Sequence, residues 1–196
     1  MKVADDASAC TRCELYKRAT QTVFGEGPVP APAMLIGEQP GDQEDLSGTP
    51  FIGPAGHVLD EALVAAGLSR EELYVTNAVK HFKWTPRGNR RIHQKPGRDE
   101  VEACAVWLEQ EVALVKPRVV TLLGATAAQA VMGPKFRVTA ERGKLLDSSL
   151  APAVVATVHP SSILRSPTPE DRHRAMDAFI SDLRVVAAVV DGRRVG

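Results

Sequence analysis

The chain is short of several things that would each point to a function. It carries no net charge: 24 Lys and Arg balance 24 Asp and Glu over 196 residues. Charge alone therefore argues for no partner, although a local basic surface can still bind nucleic acid. There is no apolar run long enough to span a bilayer, and the polar, charged N-terminus does not read as a secretory signal. Three cysteines are too few for a disulfide scaffold. No internal repeat, low-complexity tract or domain linker interrupts the chain. The expectation is one domain over residues 1–196, in a soluble, cytoplasmic protein that acts as a monomer.

What is present is an alternation of strand and helix patterns. Apolar runs at 34–37, 73–77, 119–123 and 154–158 read as strands. The last two are β-branched and apolar throughout, as in a parallel sheet covered on both faces. Helical patterns at 56–66, 98–115, 125–132 and 179–189 separate or follow them. The expected fold class is α/β: a three-layer domain with a central, mainly parallel four-stranded sheet flanked by helices.

Ligands of open α/β sheets bind beyond the carboxyl ends of the strands, and the unusual residues of this chain lie there. Gly37-Glu38-Gln39-Pro40-Gly41 turns tightly out of the first strand, with glycines for close backbone approach and a proline for stiffness. The second strand ends on Thr76-Asn77 and the fourth on Val158-His159-Pro160. A carboxylate, two amides, an imidazole and the aromatic Phe51 thus converge, a set able to grip a small flat polar ring. Taken singly, each residue has a plainer reading. Phe51 suits a core, Asn77 a strand-end turn, and His159 a backbone carbonyl partner.

Four motifs, GEQPG, PFIGPAG, TNAVK and VHPSSILR, occur in the order in which they stand in the uracil-DNA glycosylase superfamily. The chain resembles the iron–sulfur branch of that superfamily, family four. Arg90-Arg91-Ile92-His93 is similar to the loop of its X-type members, in which a histidine becomes joined to DNA. Asn89 departs from the basic residue often found before that loop.

The resemblance implies excision of uracil from DNA, with single-stranded DNA an acceptable form and free uracil a product. Phe51 would stack on the flipped base, Asn77 would read its edge, and His159 would bond an oxygen as charge develops. Gly37, Glu38, Gln39, Asp42 and Pro50 would complete the pocket. Ser161, Ser162, Leu164 and Arg165 would press on the strand, while Lys80, Arg90 and Arg91 would hold phosphates. Glu38 and His93 would act at the sugar, His93 as the nucleophile that traps the abasic site.

Two alternatives stay open. In a conventional glycosylase Glu38 assists water and His93 only contacts phosphate. In a non-catalytic nucleic-acid-binding module neither acts. The resemblance also implies a [4Fe–4S] cluster on Cys10, Cys13, Cys104 and, where relatives have a fourth cysteine, His81. The same Cys₃His set suits structural zinc by ligand type.

Overall fold

A computed structural model describes residues 2–193. Its strands are β1 (Ala33–Gly37), β2 (Tyr74–Asn77), β3 (Trp84–Arg87), β4 (Arg90–His93), β5 (Val119–Leu123), β6 (Leu145–Leu146) and β7 (Val154–Thr157). The helices are α1 (Lys2–Ser8), α2 (Asp42–Ser47), α3 (Pro54–Ala66), α4 (Arg98–Val115), α5 (Ala125–Met132), α6 (Val138–Glu141), α7 (Pro160–Leu164) and α8 (Pro169–Val190). The main sheet has the order β2-β1-β5-β7-β6. The four expected strands are parallel neighbours, and β6 adds a fifth, antiparallel edge strand. Two residues are too few to show a period in sequence, which is why β6 escaped the four-strand expectation.

Every residue of β1, β2, β5 and β7 is buried, and alternate side chains feed two cores. Leu35, Val75, Leu123 and Val155 meet Leu59 and Leu63 of α3 and Phe179 and Leu183 of α8. Met34, Ile36, Val120, Leu122 and Val154 meet Leu108 of α4, Ala127 and Ala128 of α5 and Val138 of α6. That double coverage explains the uninterrupted apolar runs. Helix α8 begins ten residues earlier than its apolar pattern, because Thr168 caps it by accepting the Asp171 N–H at 3.0 Å.

The segment read as a loop around Arg90–His93 is an antiparallel hairpin. Trp84 pairs with His93 and Arg87 with Arg90, leaving Gly88-Asn89 as the turn. Gly88 takes φ 58°, a conformation that glycine adopts without penalty.

Beneath the end of β2 lies a fully buried ion pair. Lys80 and Glu111 are both 0% exposed, and the ammonium also donates to Thr76 Oγ1 and the Asn77 carbonyl, both at 2.7 Å. Glu111 accepts from Gly25 N–H at 2.9 Å, Tyr74 OH at 3.1 Å and Thr76 Oγ1 at 2.9 Å. Burial and the neighbouring carboxylate push the Tyr74 hydroxyl pKa upward. Lys80 was expected to hold a DNA phosphate; its side chain does not reach solvent, and that assignment is corrected. Removing one partner leaves a buried charge alone, so Lys80→Met should cost ~3–5 kcal/mol in denaturant unfolding. Pairing it with Glu111→Leu should recover much of that loss.

Candidate active site

The carboxyl ends of β1, β2, β5 and β7, together with the base of the hairpin, enclose a cavity of about 820 Å³. Its walls include Glu38, Phe51, Asn77, His93, Thr126 and His159, with Ser161, Ser162, Leu164 and Arg165 on the α7 side. Glu38, Asn77 and His159 come from three strands, as expected. In-register pairing sets Gly37 of β1 opposite Asn77 of β2. A Cβ at Gly37 would fall 2.4 Å from Asn77 Oδ1 and 2.5 Å from the Phe51 ring. Gly37 therefore shapes the pocket by leaving room, without lining it.

Phe51 is 5% exposed and serves both readings, as part of the core behind and as cavity wall in front. It adopts φ 55°, unusual for a residue with a side chain. Gly56 fits close beneath, where a Cβ would meet the Phe51 carbonyl oxygen at 1.8 Å. The Phe51 and His159 rings stand 6.0 Å apart. Pro50 lies outside the cavity lining, with its carbonyl accepting from Arg70 at 2.9 Å; its place in the uracil pocket is corrected. Asn77 Oδ1 is buried without a hydrogen-bond partner, an acceptor that costs stability until a donor arrives.

The imidazole of His159 has a defined tautomer. Its Nδ1 accepts the Ser161 backbone N–H at 3.2 Å, so the proton sits on Nε2. Burial pulls its pKa from the usual 6.5 to about 4, against the raising influence of Glu38. The hydroxyl of Ser161 lies 2.8 Å from the same nitrogen and accepts from Arg165 at 3.0 Å, while Ser162 donates to the His159 carbonyl. Both serines thus brace His159 in the free protein.

Glu38 sits between two elements. Oε1 is 3.3 Å from His93 Nε2, and Oε2 accepts a short hydrogen bond from Thr126. Burial raises its pKa, but the bonds from His93 and Thr126 and the nearby imidazoles outweigh this, and the net direction is down. The carboxylate is therefore ionised beside a half-exposed imidazole.

His93 reaches that position because the hairpin is pinned at both ends. Gln39 Nε2 donates to the carbonyls of Lys83 and Gln94, and its Oε1 accepts the Lys83 N–H at 3.1 Å. Gln39 borders the cavity as expected, and its side-chain amide is taken up by the hairpin. Arg91, expected on phosphate, is also spent. Its guanidinium bonds Asp42 at 2.5 Å and Asp45 at 2.6 Å, and lies over the Phe82 and Trp84 rings. Asp42 keeps its place on the cavity wall, with its side chain committed to Arg91. Arg90 remains exposed, as a phosphate contact requires.

The metal ligands assemble only in part. Cys104 Sγ accepts the Lys80 N–H at 3.2 Å and Cys10 Sγ accepts the Trp107 indole N–H at 3.1 Å. Burial raises the Cys13 and Cys104 thiols, Cys104 to about 11, and charge on the neighbouring sulfurs adds to both rises. Cys13 and Cys104 pack in one cluster with Trp107, whose indole bonds Cys10, and two of the sulfurs accept N–H donors of the kind thiolates use. His81 departs from the expected set. Its Nε2 is 3.0 Å from Thr22 Oγ1, whose single proton goes to the Ala7 carbonyl at 3.0 Å, so the ring N–H donates to Thr22. Among the described residues, no three His, Cys, Asp or Glu side chains stand together as a metal site. The donor chemistry fits a cluster, but the four-ligand grouping is not formed.

Thr126 and the anchoring role of Gln39 were not anticipated. A threonine in an alanine-rich helix gives no signal in sequence, and a glutamine facing a hairpin cannot be told from one facing a ligand.

The uracil-DNA glycosylase superfamily model matches residues 24–184, and the chain belongs to that superfamily. Its relatives narrow the comparison. A Type-4 uracil-DNA glycosylase of Thermotoga maritima is 36% identical over 176 residues, 89% of this chain and 88% of the relative. Another, from Pyrobaculum aerophilum, is 38% identical over 165 residues, 81% of each chain. A third, from Archaeoglobus fulgidus, is 32% identical over 188 residues, 92% of this chain and 91% of the relative.

Protonation of His159 is disfavoured by folding, so the unfolded chain binds its proton first as pH falls. Its contribution to stability is complete above 6.5 and is lost between 6.5 and about 4. An imidazole NMR titration should place His159 near the lower value, and His159→Asn should flatten the stability profile in that window.

Proposed function

We propose that this chain excises uracil from DNA and captures the resulting abasic sugar on His93. The observation that carries the reading is the contact of His93 Nε2 with Glu38 Oε1 at 3.3 Å, inside the cavity that also holds Asn77 and His159. The substrate must present the base out of the stack, from a duplex or a single strand. Phe51 then supports one face of the ring. The unpartnered Asn77 Oδ1 accepts the N3–H of uracil, which discriminates against bases lacking that donor. His159 is neutral with its proton on Nε2, and donates to a uracil oxygen as the base becomes an anion.

As the C1′–N1 bond breaks, its electron pair leaves with uracil and positive charge builds on the sugar. The ionised Glu38 stabilises that charge. A lone pair of the neutral His93 ring forms the new bond to C1′, the ring becomes imidazolium, and its N–H proton passes to Glu38 or solvent. The product is an N-linked sugar with a poor leaving group, so one protein is consumed per lesion. Arg90, Arg165 and the α7 serines hold the strand on either side, a salt-dependent contribution. Such chemistry belongs beside the nucleoid.

A conventional reading is favoured by the Type-4 name of the relatives: Glu38 assists water and the product leaves. Intact-mass analysis after mixing with a uracil-containing oligonucleotide separates the two. The expected species is protein plus DNA minus uracil; free abasic DNA with unmodified protein selects the conventional reading. His93→Ser should abolish the adduct and release abasic DNA, and an adduct persisting in that variant removes His93 from the role.

We further infer a structural [4Fe–4S] cluster held by Cys10, Cys13 and Cys104. His81 is the candidate fourth ligand through Nδ1, where the bond to Thr22 leaves the lone pair. The cluster would tie the N-terminal segment to α4 and the end of β2. Iron and visible absorbance should accompany the purified protein, vanish in Cys104→Ala and weaken in His81→Ala. Zinc in place of iron would select the structural-zinc alternative.

A further inference from the structure

We propose that Thr126 is a positioning residue that sets the orientation of Glu38 toward the sugar, an inference that rests on the reading of Glu38 given above. Glu38 follows the last residue of β1 and lines the cavity together with Thr126 of the N-terminal turn of α5. Thr126, in that turn, is 7% exposed. An ionised carboxylate only accepts hydrogen bonds, so the single hydroxyl proton of Thr126 is committed to Glu38 Oε2. That bond holds one oxygen against the wall and leaves Oε1 facing His93. A carboxylate tethered at one oxygen cannot rotate freely, and the geometry facing the sugar is set before substrate enters.

Thr126 has no other hydrogen-bonding duty that would account for its burial. The next two helix residues, Ala127 and Ala128, lie in the core, and a plain helix position here would accept valine or alanine. The Thr126 side chain also borders a second cavity of about 400 Å³ between α4 and α5, so the hydroxyl stands at a wall rather than inside packed core. The charged or titratable groups facing Glu38 are His93 from β4 and His159 from the start of α7. Asp42, Glu44, Lys95 and Arg165 border the same cavity. Loss of the Thr126 bond leaves burial less opposed, and the Glu38 pKa should rise.

The test is single-turnover uracil excision across pH by the wild type, Thr126→Val, Thr126→Ser and Glu38→Gln. Binding is followed in parallel on an oligonucleotide carrying a non-cleavable 2′-fluorinated deoxyuridine. Thr126→Val should slow excision about tenfold, the usual scale for a lost bond to a charged group. Its acid limb should move up by roughly one pH unit, with binding unchanged. Thr126→Ser, which keeps the hydroxyl, should restore rate and profile. An unaltered profile in Thr126→Val, or equal damage in Thr126→Ser, overturns the proposal. Full activity in Glu38→Gln overturns the reading of Glu38 on which it rests.

Discussion

The buried pair of Lys80 and Glu111 is the constraint on which the site is built. A charge enclosed among apolar side chains is tolerable only where its partners hold it from every side. Here the partners are the elements that must be brought into register. Glu111 belongs to α4, Gly25 to the entry segment, and Tyr74 and Thr76 to β2, so satisfying one carboxylate docks all three. The ammonium closes the arrangement on the Asn77 carbonyl. The Asn77 amide and the thiol of Cys104 thus stand on the two sides of one short turn, since the Lys80 N–H reaches that sulfur.

Most of the fold was legible because a sheet covered on both faces writes itself as apolar runs, and all four parallel strands fell where those runs lie. The convergence of Glu38, Asn77 and His159 was legible for a related reason: residues just past parallel strands end at one edge. What could not be read was how polar side chains divide their hydrogen bonds. Lys80 and Arg91 look like any exposed cation in sequence. Burial against Glu111 claims the first, and Asp42, Asp45 and two aromatic rings claim the second. Gln39 borders the cavity as expected, but the partners of its amide and of the His81 ring could not be read, because the carbonyls of the hairpin base and the hydroxyl of Thr22 are distant in sequence.

These corrections shift the weight of the site from the surface inward. In the free protein, residues expected to touch DNA or base hold the parts around them. Arg91 and Gln39 pin the hairpin that carries His93, and the α7 serines brace the imidazole of His159. The free protein is thereby arranged in advance, with a neutral imidazole, an ionised carboxylate and an unpaired amide oxygen already facing one space. Such preorganisation matters where the charge to be stabilised exists only briefly.

The pairing of Gly37 with Asn77 continues past the strands, as Ala78 N–H meets the Gly37 carbonyl at 2.9 Å and Val79 N–H the Glu38 carbonyl at 3.0 Å. The spacing between the Asn77 and Glu38 backbones is therefore fixed by main-chain bonds that do not involve the hairpin. The hairpin is in turn an insert between β2 and α4, joined to the pocket by side-chain bonds. On the function proposed above, one part of the molecule would choose the base and a separable part, the ten-residue hairpin, would act on the sugar.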